Sequence, residues 1–73
     1  MNIHEAIKEI RISLGLSQTA FAKRLHVSFS TVSRWENGRV VPNRLASVAI
    51  ISLAEECNLE KGLVDELKQL HSI

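Results

Sequence analysis

The sequence predicts an all-α domain of five short helices, and three observations predict it. Apolar residues recur at steps of three and four along the whole chain, Ser and Asn stand as N-caps ahead of such runs, and β-branched residues fall inside these helical patterns without alternating with polar ones. Seventy-three residues suit one small domain, and a domain of that size buries only about 60% of its unfolded surface. A composition of 45% hydrophobic and 23% charged residues, with three Gly and one Pro, is that of an ordinary globular protein.

The first helix is read from Ile3, Ile7, Ile10 and Leu14, with Asn2 and Glu5 spaced as a capping box and Gly15 as the stop. Ser17 then caps a second helix that turns Phe21, Ala22 and Leu25 inward and ends near His26. Ser28 caps a third, of about nine residues, in which Val32 and Trp35 are core and Asn37-Gly38 is the terminator. After a loop from Arg39 to Pro42, the stretch Asn43 to Cys57 reads as the central buried helix, carrying Leu45, Val48, Ala49, Ile51, Ser52 and Leu53. Leu63, Leu67 and Leu70 mark a final amphipathic helix within 59–71. The expected organisation is one domain over 1–73. Its last helix, with Leu59, Leu63, Leu67, Leu70 and Ile73, is the expected surface for a second subunit and can at the same time close the core.

Charge is divided unevenly along the chain although its net value is only +1. Residues 1–16 balance Lys8 and Arg11 against Glu5 and Glu9. Residues 17–44 set Lys23, Arg24, Arg34, Arg39 and Arg44 against Glu36 alone. Residues 45–73 set Lys61 and Lys68 against Glu55, Glu56, Glu60, Asp65 and Glu66. A basic middle suits phosphates, and an acidic tail is repelled by them. The lone Cys57 closes no internal disulfide, and Cys57, His4, His26 and His71 show no metal-ligand spacing, so neither a metal nor a cofactor is expected. No nucleophile with a positioned base is visible, so no catalytic residue is assigned and no enzyme is expected. No run approaches the roughly 18 apolar residues of a membrane span, no targeting signal is seen, and a reducing cytoplasm is the expected location.

The stretch Gln18 to Asn37, QTAFAKRLHVSFSTVSRWEN, holds two short helices joined by so few residues that they must cross tightly. Ala22 sits where only a small side chain allows that approach, above a wedge of Phe21, Leu25, Val27, Val32 and Trp35. The outward face of the second of these helices, Ser28, Phe29, Ser30, Ser33 and Arg34, is left for binding.

From Ile7 to about Leu53 the sequence resembles the Cro/C1-type, or xenobiotic-response-element, family of helix-turn-helix proteins. The resemblance is carried by Arg11, Leu14-Gly15-Leu16-Ser17-Gln18, Ala22, Val27-Ser28, and Thr31 to Arg39 with Pro42 behind it. One departure is His26, at a turn position where the family usually has Gly; a left-handed backbone costs His less than most residues.

The resemblance implies a lambda-repressor-like fold with the helix-turn-helix at 18–37, double-stranded DNA as partner, and a twofold homodimer on an inverted repeat. It implies that Ser28, Phe29, Ser30, Ser33 and Arg34 face the major groove. There Arg34 would bond guanine O6 and N7, and Phe29 would touch a thymine methyl. It implies that Gln18 caps the second helix against a phosphate and braces the start of the third, and that Asn37, Arg39 and Arg44 approach the backbone or the adjacent minor groove. Arg11 and Glu36 would pair across the first and third helices. The function the resemblance implies is that of a transcriptional regulator, a repressor, with no membrane association and no small-molecule ligand expected. The alternative is an antitoxin or other protein-interaction module, which a long segment beyond the domain would mark.

Overall fold

The computed structural model describes residues 1–71: α1 (Ile3–Ser13), α2 (Gln18–Leu25), α3 (Phe29–Glu36), α4 (Arg44–Glu56), a 3-10 turn (Lys61–Leu63) and α5 (Asp65–His71). Among the described residues there is no strand. Four of these helices begin in the same way, because the first amides of a helix have no partner within it. Asn2 accepts from the Glu5 amide, Ser17 from Ala20, Ser28 from Thr31 and Asn43 from Ala46. Each such cap contributes about 1 kcal/mol.

The same four helices also end alike. Gly15, His26, Gly38 and Asn58 lie in the left-handed region, at φ of 72°, 58°, 77° and 56°. At each, the left-handed residue donates to the carbonyl three back and the next residue to the carbonyl five back: Ile12 and Arg11, Lys23 and Ala22, Trp35 and Arg34, Glu55 and Ala54. This paired closure satisfies carbonyls that the helix leaves open and turns the chain sharply. His26 is therefore the residue that occupies the left-handed position between α2 and α3.

The ends having been fixed, the faces pack. Ala6, Ile7 and Ile10 of α1, Phe21, Ala22 and Leu25 of α2, and Val32 and Trp35 of α3 are buried, together with Ile50, Ile51, Leu53 and Ala54 of α4. Each large side chain removed from water contributes about 1.5 to 3 kcal/mol. α2 packs against α3 and α4, and α1 lies against α3 and α5. Ser47, on the buried side of α4, has no hydrogen-bond partner for its hydroxyl among the described residues.

Two readings of the sequence need correction. The central helix does not bury Leu45, which is 80% exposed, nor Val48, and Ser52 also faces solvent. α4 is apolar nearly all round, so periodicity could not choose its face, and the inward stripe runs through Ser47, Ile50, Ile51 and Ala54. The second correction concerns 59–71, which is not one helix. Glu60 takes an extended ψ of 135°, the 3-10 turn follows, and α5 starts only at Asp65. The tighter turn rotates the chain so that Val64 and Leu67 point inward while Leu63 is half-buried and Leu70 is exposed. Ile73 lies outside the described residues.

His26→Gly removes side-chain strain at a left-handed position and should raise stability by about 0.5 to 1 kcal/mol. For a domain this small that is a rise of several degrees in melting temperature, readable by circular dichroism. An unchanged or lower melting temperature would mean that the imidazole carries a compensating interaction.

Candidate nucleic-acid interface

α2 and α3 are separated only by His26, Val27 and Ser28. The left-handed His26 sends Val27 back to bond the Ala22 carbonyl, 3.0 Å away, and Ser28 at once begins the next helix. Ala22 is buried, and α2 makes its most extensive packing against α3. The turn and the small side chain together set the crossing, which fixes what α3 presents to solvent.

The outer face of α3 carries Phe29, Ser30, Ser33 and Arg34, positions that one helical face brings together. Phe29 is 52% exposed, an unusual place for a large apolar ring, and Ser30 and Arg34 are exposed beside it. Arg34 makes no ion pair among the described residues. Two of the expected contact residues have internal work as well. Ser28 Oγ accepts from the Thr31 amide and shares a 2.8 Å hydrogen bond with Thr31 Oγ1, and half-buried Ser33 accepts from Asn37 Nδ2.

A polar network behind α3 joins three helices. Arg11 Nε donates to Glu36 Oε2 at 2.7 Å and Arg11 Nη2 to Oε1 at 3.1 Å, a bidentate pair. Arg11 Nη1 also donates to the Leu16 carbonyl, and Gln18 Nε2 donates to Glu36 Oε1 at 3.1 Å. The side chains of Arg11 and Glu36 are only 14% and 5% exposed. The hydrogen bonding that Arg11 donates to Glu36 raises the Arg11 pKa above its ordinary value, burial opposes this, and the carboxylate's charge adds to the rise. A raised arginine pKa keeps its contribution at every pH below the unfolded value, and loses it only as pH climbs through the folded one. The guanidinium side of the pair is thus intact across the neutral range. Gln18 reaches the last turn of α3 and not its start, because Glu36 stands at the C-terminal end of that helix.

This network also changes the charge of the surface. The sole acid in 17–44 is Glu36, and it is buried against Arg11, whereas Lys23, Arg24, Arg34, Arg39 and Arg44 are all exposed. That stretch therefore shows solvent five cations and no anion, a stronger field than the residue count suggests. Asn37, at the end of α3, is exposed alongside them.

Some contributors had no sequence signal. Thr31 locks the cap of α3 through its hydroxyl, and two histidines bond backbone carbonyls far away in sequence: His4 to Trp35 and His71 to Pro42. No pattern of spacing reports contacts across 31 and 29 positions. Among the described residues no group of acids, His and Cys could hold a metal ion, and no helix is long and apolar enough to cross a membrane.

Glu36→Ala should strand a partly buried guanidinium and cost about 3 kcal/mol, and Arg11→Ala a similar amount. The double variant should cost clearly less than the sum, giving a coupling of about 1 to 3 kcal/mol by denaturant unfolding. Simple additivity would show that the pair does not tie α3 to α1.

Comparison with known proteins bears on the same residues. A helix-turn-helix family model matches residues 7–61, which contain every element of the interface. The chain is also 39% identical over 51 residues to a Vibrio cholerae serotype O1 protein named Antitoxin HigA-2, covering 70% of this chain and 48% of that one. The chain thus spans about half the length of the curated relative it matches. No solved structure gives a match. With the family model covering most of the sequence and α2, turn and α3 arranged as described, the chain belongs to the Cro/C1-type helix-turn-helix family of DNA-binding proteins.

Proposed function

We propose that this protein is a sequence-specific transcriptional regulator, acting as a repressor in the cytoplasm, that binds an inverted-repeat operator through the major groove as a homodimer. The observation that carries this reading is the outer face of α3. An exposed aromatic ring and a guanidinium with no ion pair among the described residues flank two serines, on a helix whose back is fixed to α1 and α2 by the Glu36 network.

In this reading Arg34 donates two hydrogen bonds to guanine O6 and N7, and Phe29 packs on a thymine methyl. Ser30 and Ser33 reach base edges, with Ser28 at the helix start. Gln18, Asn37, Arg39 and Arg44 meet phosphates, which set register without reading sequence. The domain works by binding and carries no chemistry of its own.

The dimer follows from size. One α3 spans a few base pairs, whereas a domain of 25 × 24 × 21 Å can abut a second copy and place the two α3 helices one DNA turn apart, about 34–36 Å. The surface we assign to the second copy is built on exposed Val41 and Leu45, which line one groove, and on Val48, three residues beyond Leu45 on the same face of α4. That open groove, of about 560 Å3, is also lined by Leu25, Val27, Trp35 and Ala49. That face is preferred to the leucines of the tail because Leu67 is fully buried within the monomer. A second reading, an antitoxin-type protein whose main partner is another protein, draws support from the name of the Vibrio cholerae relative.

Selection of bound duplexes from a random DNA pool at about 0.15 M salt tests the proposal. An inverted repeat with half-sites about ten base pairs apart is expected; no enrichment would overturn it and turn attention to the protein-partner reading. On the selected site, Arg34→Ala should relax discrimination at one base pair by about 1 to 3 kcal/mol. Arg39→Ala should weaken all duplexes evenly and reduce the salt slope by about 1. Exchange of those two signatures would refute the assigned roles.

A further inference from the structure

We propose that His4 and His71 are positioning residues that clamp the backbone on either side of Asn37 and Arg39, at Trp35 in the last turn of α3 and at Pro42 in the α3–α4 connection (37–43), so that Asn37 and Arg39 meet the duplex backbone in fixed register. The proposal rests on the DNA-binding reading above and concerns residues to which that reading gives no role.

The connection has little to hold its second half. At its start, Gly38 and Arg39 donate to the Trp35 and Arg34 carbonyls, and Val40 makes a longer bond of 3.5 Å to Arg34. Beyond that, Val41 donates no backbone hydrogen bond among the described residues, and Pro42 has no N–H to give. Residues 37–41 are exposed, and only Pro42 is buried. An arginine carried on such a segment would lose much of its binding energy to the ordering of its own backbone.

Two imidazoles supply what the segment lacks. His4, in the first turn of α1, places Nδ1 2.8 Å from the Trp35 carbonyl. His71, the last residue of α5, places Nε2 3.0 Å from the Pro42 carbonyl. A carbonyl only accepts, so the proton sits on Nδ1 of His4 and on Nε2 of His71, and each ring donates. Both rings are half-buried, and a histidine has few rotamers to lose. The clamped atoms bracket Asn37 and Arg39, and the clamps come from the first and last helices, which pack against each other. Gly38 is fitted to the first clamp: a Cβ there would stand 3.2 Å from His4 Cδ2, besides straining a backbone at φ 77°.

The test replaces donors while keeping shape. His4→Asn carries an amide nitrogen where Nδ1 stood and His71→Gln one where Nε2 stood, whereas His4→Leu and His71→Leu carry none. On the selected duplex, the double leucine variant should lose about tenfold in affinity on all sequences, with base preference unchanged and a salt slope smaller by about 1. The double amide variant should recover to within about threefold of wild type. Wild-type affinity and slope in the leucine variant would overturn the proposal, and so would failure of the amides to restore binding. Amide hydrogen exchange of residues 38–41, measured without DNA, separates this idea from the reading beneath it. Faster exchange in the leucine variants, reversed by the amides, supports the clamp even if wild type selects no duplex, and unchanged exchange refutes it. If the double leucine variant does not fold, His71→Leu alone, at the end of the last helix, is judged by the same two readouts.

Discussion

Glu36 is a carboxylate that folding takes almost wholly out of water, and the placement of α3 depends on its being satisfied. Its two oxygens receive three hydrogen bonds, two from Arg11 on α1 and one from Gln18 on α2. A buried charge left unpartnered would cost several kcal/mol, so the three helices are held to the one arrangement in which those donors converge. Such a pair adds little net stability compared with an apolar replacement, and what it supplies is orientation. Because the donors close the back of α3 near its C-terminal end, the opposite face is left outward with Phe29, Ser30 and Arg34. The same pairing hides the only acid of the central stretch and leaves its cations alone at the surface.

Orientation would be wasted on helices with ragged ends, and the chain avoids this by repetition. Side-chain caps and left-handed closures begin and end each of α1 to α4, and they make the two turns from α1 to α3 short and sharp. The pattern tolerates substitution where chemistry permits it. His26 and Asn58 stand at positions that two glycines fill elsewhere, and both are residue types that accept the left-handed region at modest cost. The helix-turn-helix is thus built from local backbone chemistry first, and the long-range network then sets its angle.

Much of this was legible in the residues, for physical reasons. Helix starts were visible because a cap is a single residue beside its own partner amide, and stops were visible where Gly15 and Gly38 marked a left-handed turn. Trp35 and Val32 could be assigned to the core from their spacing. What escaped is what spacing does not encode. α4 carries apolar residues on nearly every side, so the exposed position of Leu45 is decided by its neighbours and not by its period. The rotation introduced by the turn at Lys61–Leu63 put Val64 in the core in place of Leu70, and a regular leucine stripe gave no hint of it. The contacts of His4 and His71 join segments about thirty residues apart, and Gln18 meets the end of α3 where the resemblance pointed to its beginning.

The central claim is that the outer face of α3 and the basic segments flanking it are what meets DNA. Titrating the isotope-labelled protein with its selected duplex, and following each backbone amide by nuclear magnetic resonance, tests this most directly. The account predicts that the largest shifts fall on Gln18, Ser28 to Ser30, Ser33, Arg34, Asn37, Arg39 and Arg44, while the acidic helix α5 stays silent. Shifts concentrated on α5, with α3 unmoved, would contradict it.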